Sequence, residues 1–161
     1  MLVTKNGYAL RFNIEEVPII GAKAAGVKAI NLKKDDVLAA AFIANTDSFY
    51  LLTQRGSLKR MAVTDIPVTS RANRGLQVLR ELKTKPHRVF AAGPVYGEAA
   101  DFDLFTTEAE ASEEQILQVL SNKGTTYEIN LADLSLSERT SNGSFISDTI
   151  SEEEVFSAYI K

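Results

Sequence analysis

The stretch Arg71-Ala72-Asn73-Arg74-Gly75-Leu76-Gln77-Val78-Leu79-Arg80 decides the fold, because its glycine belongs to a spacing that recurs along the chain. Two glycines stand 19 residues apart three times, at Gly7 and Gly26, Gly56 and Gly75, and Gly124 and Gly143. Around each pair the apolar residues alternate, as in half-buried strands. A fixed spacing that occurs three times indicates an internal repeat.

Each repeat holds about four short strands over roughly 48 residues, which are the length and strand content of a propeller blade. We predict an all-β fold of about three four-stranded blades. The predicted boundaries are 1–48 for repeat one, 49–97 for repeat two, 98–115 for an acidic insertion and 116–161 for repeat three. Three blades are too few to close a ring, so the pattern indicates either a fragment of a larger ring or an open arc, and the start within a strand favours the fragment.

The strands expected within the repeats are short. They are predicted over residues 8–12, 27–32, 37–44, 49–53, 57–61, 89–92, 116–120, 127–129 and 155–160, and the run 37–44 is expected to be buried on both faces. The insertion, rich in glutamate and alanine, is the one segment where a helix is plausible.

The 161 residues suffice for one domain with a core, and 45% of them are hydrophobic. The chain has no cysteine and a single histidine, His87, which excludes disulfides, thiol chemistry and a multi-histidine metal site. No apolar run is long enough to span a membrane, and no signal peptide is recognisable. We expect a cytoplasmic protein, with His87 in an exposed loop.

The net charge of −3 conceals a strong asymmetry. Residues 1–97 carry 15 lysines and arginines against 7 acids, whereas residues 98–161 carry 3 against 14. A split of this size predicts a surface that faces a polyanion beside a part that repels one. We expect a polyanion to leave the basic surface at or before repeat three.

Two motifs recur in order and carry a resemblance to a known family. They are Lys5-Asn6-Gly7-Tyr8-Ala9-Leu10-Arg11 followed by Gly26-Val27-Lys28-Ala29-Ile30-Asn31-Leu32, and Gln54-Arg55-Gly56-Ser57-Leu58-Lys59-Arg60 followed by Arg74-Gly75-Leu76-Gln77-Val78-Leu79. This pattern resembles the C-terminal domain of the A subunit of bacterial type IIA topoisomerases. The Gln-Arg-Arg-Gly-Gly-Lys-Gly box of gyrase is absent, which places the resemblance closer to topoisomerase IV.

The resemblance implies a β-pinwheel, a propeller-like ring whose blades exchange a strand with their neighbours. It further implies a module that binds and bends double-stranded DNA on a basic rim, in a bacterial, nucleoid-associated protein. The other implied partners are further blades and the breakage-reunion domain of the same polypeptide, together with the ATPase B subunit. In the family this domain has no catalytic, ATP or metal site, so no cofactor is expected here, although the parent enzyme is an ATP-dependent isomerase.

The candidate DNA-binding residues are cations that flank the repeated glycines and can reach phosphates without reading bases. They are Lys23, Lys28, Arg60, Arg71, Arg74 and Arg80. Glycine at these positions lets the backbone approach a phosphate, and the alternative role, a positive φ in a turn, can apply at the same positions. For Arg11, Lys59 and Arg60, surface pairing with Glu15 or Asp65 is an equal alternative.

Two functions from different classes fit the sequence. The first is a DNA-binding accessory module of a topoisomerase. The second is a propeller-type scaffold whose basic surface binds an acidic protein. Neither requires an enzyme site in this chain, which lacks a glycine-rich phosphate loop with lysine and serine or threonine.

Overall fold

The structure, a computed structural model, describes residues 1–34, 36–96 and 114–161. Their strands are β1 (Leu2–Thr4), β2 (Tyr8–Leu10), β3 (Leu38–Ala41), β4 (Ser48–Thr53), β5 (Ser57–Ala62), β6 (Leu76–Gln77), β7 (Val89–Val95), β8 (Ile116–Ser121), β9 (Thr126–Asn130), β10 (Ser144–Phe145) and β11 (Val155–Ile160). Short 3-10 helices lie at Ile14–Glu16, Val63–Asp65, Leu131–Asp133 and Thr149–Glu152. The predicted all-β class is confirmed.

The strands form three antiparallel sheets, and neighbouring repeats exchange a strand. Sheet one has the order β3-β1-β2-β6 and sheet two has the order β10-β5-β4-β7. Strand β6 comes from repeat two but pairs with β2 of repeat one, with Tyr8 opposite Gln77. Strand β10 of repeat three pairs in the same way with β5 of repeat two. This exchange is the arrangement expected of a β-pinwheel.

Two strand predictions differ from the structure. Residues 27–32 form no strand, although they correspond to β6 and β10 in the other repeats. Those two strands pair with the sheet of the preceding repeat, whereas no strand in the described residues pairs with 27–32. The run 37–44 yields only β3, which is half exposed rather than buried on both faces. Sheet three contains three described strands, in the order β11-β8-β9.

The insertion predicted at 98–115 lies outside the described residues except for its last two positions, and the repeat boundaries stay a prediction. No helix in the described part of the chain is long and apolar enough to cross a membrane.

The core lies between the sheets, so each repeat needs its neighbour to bury its apolar face. The first cluster combines repeats one and two, with Val3 and Ala9 packed among Phe49, Leu51 and Met61, all buried. The second cluster joins repeats two and three in the same manner. Strand β4 is buried along its whole length because it lies between both clusters. Stacking in this way is what a repeat protein requires, since one blade cannot cover both of its faces.

The repeated glycines combine a positive φ with, at two of them, a close approach to the backbone of the preceding sheet. All six have a positive φ, which favours glycine over any residue with a side chain. A Cβ on Gly75 would lie against the Ala9 carbonyl, 2.7 Å from its carbon, and a Cβ on Gly143 would lie 2.5 Å from the Leu58 oxygen. The glycine that begins each exchanged strand therefore lets that strand reach the backbone of the preceding sheet. Of the two explanations left open by the sequence, the positive φ is confirmed.

Lys59 is a buried lysine that binds backbone oxygens of repeats two and three, at the position that Leu10 occupies in repeat one. Its side chain is 2% exposed. The ammonium group donates to the carbonyl oxygens of Val78 (2.5 Å), Arg139 (2.8 Å) and Ser141 (2.8 Å). It thus joins the end of one exchanged strand to the loop that leads into the next. The surface pairing considered for Lys59 is wrong, because the side chain lies in the interior.

Lys59 should make the stability of the fold depend on alkaline pH. Burial and the nearby Arg139, opposed by Asp65, lower the pKa of Lys59 from 10.5 to about 8. The unfolded chain therefore binds more protons between these values, so the free energy of unfolding should rise with pH across that window, by about 3 kcal/mol in total. Urea unfolding of wild type and Lys59→Met at pH 7.5 to 10.5 measures this, and parallel curves for the two proteins would contradict it.

Candidate nucleic-acid interface

The loop 70–75 of repeat two lies against the segment 27–32 of repeat one and brings cations from both repeats together. The Arg71 guanidinium donates from Nη1 to the carbonyl oxygen of Lys28. The Ala72 amide donates to the Ala29 carbonyl oxygen (2.8 Å), and Asn31 returns a hydrogen bond to the Asn73 carbonyl oxygen (2.9 Å). Lys28 itself is exposed, and its ammonium group donates to Asn31 Oδ1 (2.9 Å).

Glu16 fixes the start of this loop. One of its carboxylate oxygens accepts the Arg71 backbone amide (2.8 Å), and its carbonyl oxygen accepts Arg71 Nε (3.3 Å). Arg71 is therefore partly a structural residue, since its side chain holds two backbone oxygens of repeat one. Its half-exposed position still leaves it at the surface beside Lys28.

Arg74 is exposed and lies over an aromatic ring. Its guanidinium carbon is 3.8 Å from the ring centroid of Tyr8, a residue of β2. Such cation–π contacts contribute about 0.5–1 kcal/mol at exposed sites and restrict the side chain without neutralising its charge. Since Gly75 ties the adjacent backbone to Ala9, both the backbone and the side chain of Arg74 are held in place. We name the exposed group formed by Lys28, Arg71 and Arg74 the loop cluster.

The contact made by Arg71 is repeated in the next pair of repeats. Arg139 precedes Gly143 by four residues, as Arg71 precedes Gly75, and it donates from Nη1 to the Gln77 carbonyl oxygen (2.6 Å). Gln77 follows Gly75 by two residues, as Lys28 follows Gly26. The arginine four residues before the loop glycine therefore connects its loop by a hydrogen bond to the corresponding segment of the preceding repeat. Its presence in repeat three is explained by architecture and does not require a DNA contact.

Two of the remaining candidates, Lys23 and Arg80, lie in segments whose hydrogen bonds are made outside the loop cluster. Lys23 is exposed in the turn 21–24, which is closed by a hydrogen bond from the Ala24 amide to the Gly21 carbonyl oxygen (3.0 Å). Arg80 is exposed beyond the exchanged strand, where its amide donates to Asn142 Oδ1 of repeat three (2.8 Å). Both side chains stay available at the surface, but at different positions along it.

Arg60 has a different environment from the other candidates. Its guanidinium donates to Ser48 Oγ (2.8 Å) and to the carbonyl oxygens of Ala132 (3.2 Å) and Leu134 (3.4 Å). Arg11 does the same one repeat earlier, with the carbonyl oxygens of Val63 and Ile66. These two arginines hold the 3-10 helix of the following repeat, rather than pairing with Glu15 or Asp65. Whether Arg60 also contacts DNA stays a prediction.

The sequence prediction for His87 is wrong, and two site residues were not foreseen. His87 is 6% exposed, between Thr53 Oγ1 (3.2 Å from Nδ1) and Arg55 Nη1 (3.1 Å from Nε2). Tyr8 and Glu16, which position Arg74 and Arg71, were not singled out. The position of Tyr8, directly after the turn glycine in the strand that receives the exchange, was the one available signal.

Repeat three offers few exposed cations near this surface. Glu128 stands where Arg11 and Arg60 stand in the other repeats. Its hydrogen bond from Gln118, together with the charge of Lys161 at 3.4 Å, lowers the pKa of the Glu128 carboxyl, so the group is ionised at neutral pH. That a polyanion leaves the basic surface at or before repeat three stays a prediction. No group of three or more potential metal ligands comes together in the described part of the chain.

The chain matches a known protein family and is similar to proteins of named function. Residues 1–45 and 47–95 match the family described as "DNA gyrase C-terminal domain, beta-propeller". The chain is 68% identical over its full length to the A subunit of DNA topoisomerase 4 from Streptococcus pneumoniae, and 43% identical over 95% of its length to that from Bacillus subtilis. It spans about a fifth of these relatives, 19% and 17% of their lengths.

Solved structures agree with these relatives. A crystal structure of the C-terminal domain of DNA topoisomerase IV superposes with a TM-score of 0.79 at 35% identity, over 99% of this chain and 45% of that one. A DNA gyrase A C-terminal domain superposes with a TM-score of 0.74 at 17% identity, over 99% of this chain and 49% of that one, which shows likeness of fold. The chain therefore belongs to the gyrase-type C-terminal β-propeller family, on its branch of β-pinwheel domains from the A subunit of topoisomerase IV.

Proposed function

We propose that this domain binds and bends double-stranded DNA through phosphate contacts that do not read sequence. The observation that carries the proposal is the loop cluster, in which strand exchange places Lys28, Arg71 and Arg74 of two repeats together on an exposed surface. Arg80 and Lys23 extend the same basic part of the chain. Duplex DNA displays about one charge per 1.7 Å of axis, so a few fixed cations suffice for substantial binding.

The geometry suits phosphates better than base edges. The loop cluster lies on loops held by backbone hydrogen bonds, and in the described residues no helix or long ribbon projects from it to enter a groove. Contacts of this type set position and bending rather than sequence preference. A succession of sheets that presents cations from more than one repeat would bend a duplex that follows it.

In the parent protein we propose that the module supports decatenation and relaxation of DNA in the bacterial cytoplasm. It would act beside further blades and the breakage-reunion domain of the same polypeptide, and with the separate ATPase subunit. The chemistry of strand cleavage would belong to those parts. This assignment is supported by the identity of 68% to the A subunit of a topoisomerase IV.

We expect the 161-residue chain to bind linear duplexes of unrelated sequence with similar affinity, and to lose affinity steeply as salt rises. Because each phosphate contact adds about 0.9 to the slope of log affinity against log salt, the slope counts the contacts. Fluorescence anisotropy at several salt concentrations measures it, with a bend assay by energy transfer between duplex ends. Stronger binding to an acidic polypeptide than to DNA would instead favour the protein-scaffold function.

A further inference from the structure

We propose that a second group of cations, at the turn end of sheets one and two, is a further phosphate-binding surface of this domain. We name it the turn-end platform, and it comprises Lys5, Arg55, Lys83, Lys85 and Arg88. The proposal rests on the proposed function, because the partner it would take is the same duplex DNA. None of its five cations is among the candidate DNA-binding residues named from the sequence.

The loop 80–88 is not a free loop, because Gln54 holds it at three points. The Gln54 amide donates to the Arg88 carbonyl oxygen (2.9 Å), and its side-chain nitrogen donates to the Pro86 carbonyl oxygen (2.9 Å). Its side-chain oxygen accepts the Arg88 amide (2.5 Å). Connecting loops are usually mobile, and a loop fixed this closely presents its side chains at defined positions.

The buried His87 ring orients Arg55, one of the platform residues. An arginine can only donate, so His87 Nε2 accepts from Arg55 and Nδ1 carries the proton given to Thr53 Oγ1. Burial and the adjacent Arg55 charge lower the pKa of His87, which keeps the ring neutral and able to accept. Arg55 is further held by the Lys85 carbonyl oxygen (3.1 Å) and lies 5.5 Å from the Phe145 ring centroid.

Lys85 has a left-handed backbone, with φ at +50°, although it is not glycine. Such a conformation costs of order 1 kcal/mol or more and persists where the surroundings enforce it, often at functional sites. The hydrogen bonds of Arg55 and Gln54 on either side provide that enforcement. The result is that the lysine side chain is exposed beside Lys83, which is also exposed.

Repeat one contributes the fifth cation. The Val89 amide donates to the Lys5 carbonyl oxygen (2.8 Å), which places exposed Lys5 next to Arg88. Two carboxylates lie nearby and reduce the positive charge: Glu81 pairs with Arg88 (3.2 Å), and Asp36 accepts the Asn6 amide (3.0 Å). The loop 80–88 and the backbone that it contacts thus carry five cations from two repeats, which outnumber these two carboxylates.

One duplex can reach both basic groups. Arg74 of the loop cluster and Lys83 of the platform are nine positions apart along the chain, and β6 lies between them. An extended chain rises about 3.3 Å per residue, so their Cα atoms lie at most about 30 Å apart. A duplex carries roughly 18 phosphate charges over that length. Simultaneous contact would make the DNA cross the edge of the sheets rather than touch a single loop.

The test is a variant of the whole 161-residue chain that removes two platform charges without disturbing the fold, Lys83→Gln with Lys85→Asn. Asparagine tolerates a left-handed backbone, so the thermal midpoint should stay within about 2 °C of wild type or rise. Duplex affinity at about 0.15 M salt should fall roughly 30-fold, and the salt slope should decrease by about two. The matched control is Lys123→Gln with Lys161→Gln, which removes the same charge from repeat three and should change affinity less than about threefold.

Equal losses in the two variants would overturn the platform and leave a general charge effect. If wild type itself fails to bind duplex DNA, the proposed function falls, and the platform with it. Should Lys85→Asn prevent folding, Lys83→Gln alone still decides the question, because it lies outside the left-handed position. A decrease of about one in its salt slope supports the platform, and an unchanged slope overturns it.

Discussion

Gly75→Ala should destabilise the domain more than any other single methyl addition at the loop glycines. The added Cβ would press on the Ala9 carbonyl and come within 3.0 Å of the Leu10 amide nitrogen. Both are backbone atoms of β2 and cannot rotate away, so β6 would have to leave sheet one. The left-handed φ of +88° adds a cost of about 1–2 kcal/mol. We expect a total loss of about 3 kcal/mol or more, measured as the free energy of unfolding in urea.

Gly26→Ala is the matched control for this effect. Gly26 has nearly the same φ, +83°, but no described atom lies within 4 Å of its Cβ position. Gly26→Ala should therefore lower the free energy of unfolding only by the cost of the left-handed backbone conformation, about 1–2 kcal/mol. The difference between the two variants isolates the contact with β2. Equal losses would show that strand exchange contributes nothing at this position.

Lys28→Gln combined with Arg74→Gln should produce the second large effect, on DNA binding and not on folding. Both side chains are exposed, and glutamine at position 28 retains a polar group for Asn31. Removing two phosphate contacts should lower the salt slope by about two and the affinity at about 0.15 M salt roughly 30-fold. The loss should be the same for duplexes of unrelated sequence, because phosphate contacts carry no sequence information.

Arg74→Lys on an otherwise wild-type chain separates charge from geometry in that result. Lysine loses the planar stacking on Tyr8 but keeps the positive charge that contacts a phosphate, so affinity should stay within about threefold of wild type. Arg71 is left intact in both variants, since its bonds to Lys28 and Glu16 also support the loop. An unchanged affinity in the Lys28 and Arg74 variant would show that the loop cluster is structural only.

The repeat and most of its strands could be predicted from the sequence, because periodicity and turn glycines are local properties. Gly56 and the alternation after it specify a turn and β5 whatever the rest of the chain does. Residues 27–32 show the limit of this reasoning. They have the same alternation as the other exchanged segments, but a strand also needs a partner, and the partner belongs to a different repeat.

The charged residues were harder to assign for a related reason. A cation near a turn looks the same in a sequence whether it faces solvent, as Lys28 does, or backbone oxygens, as Arg60 does. Lys59 occupies a buried position because three carbonyl groups converge there, and two of them lie 80 and 82 residues away. Such oxygens come together only through tertiary folding. His87 is similar, since Thr53 and Arg55 reach it across 34 and 32 residues.

An exchanged strand belongs to one repeat in sequence but to the sheet of the preceding repeat in the structure. This arrangement affects how such proteins can change in length during evolution. Sheets one and two each receive their last strand from the repeat that follows, through a glycine and an arginine that approach mainly backbone atoms: Gly75 and Arg71 against repeat one, Gly143 and Arg139 against repeat two. Backbone atoms are the same in every repeat. Duplication or loss of one whole repeat would therefore create a junction that is already compatible, and the number of blades could change without new side-chain complementarity at this contact.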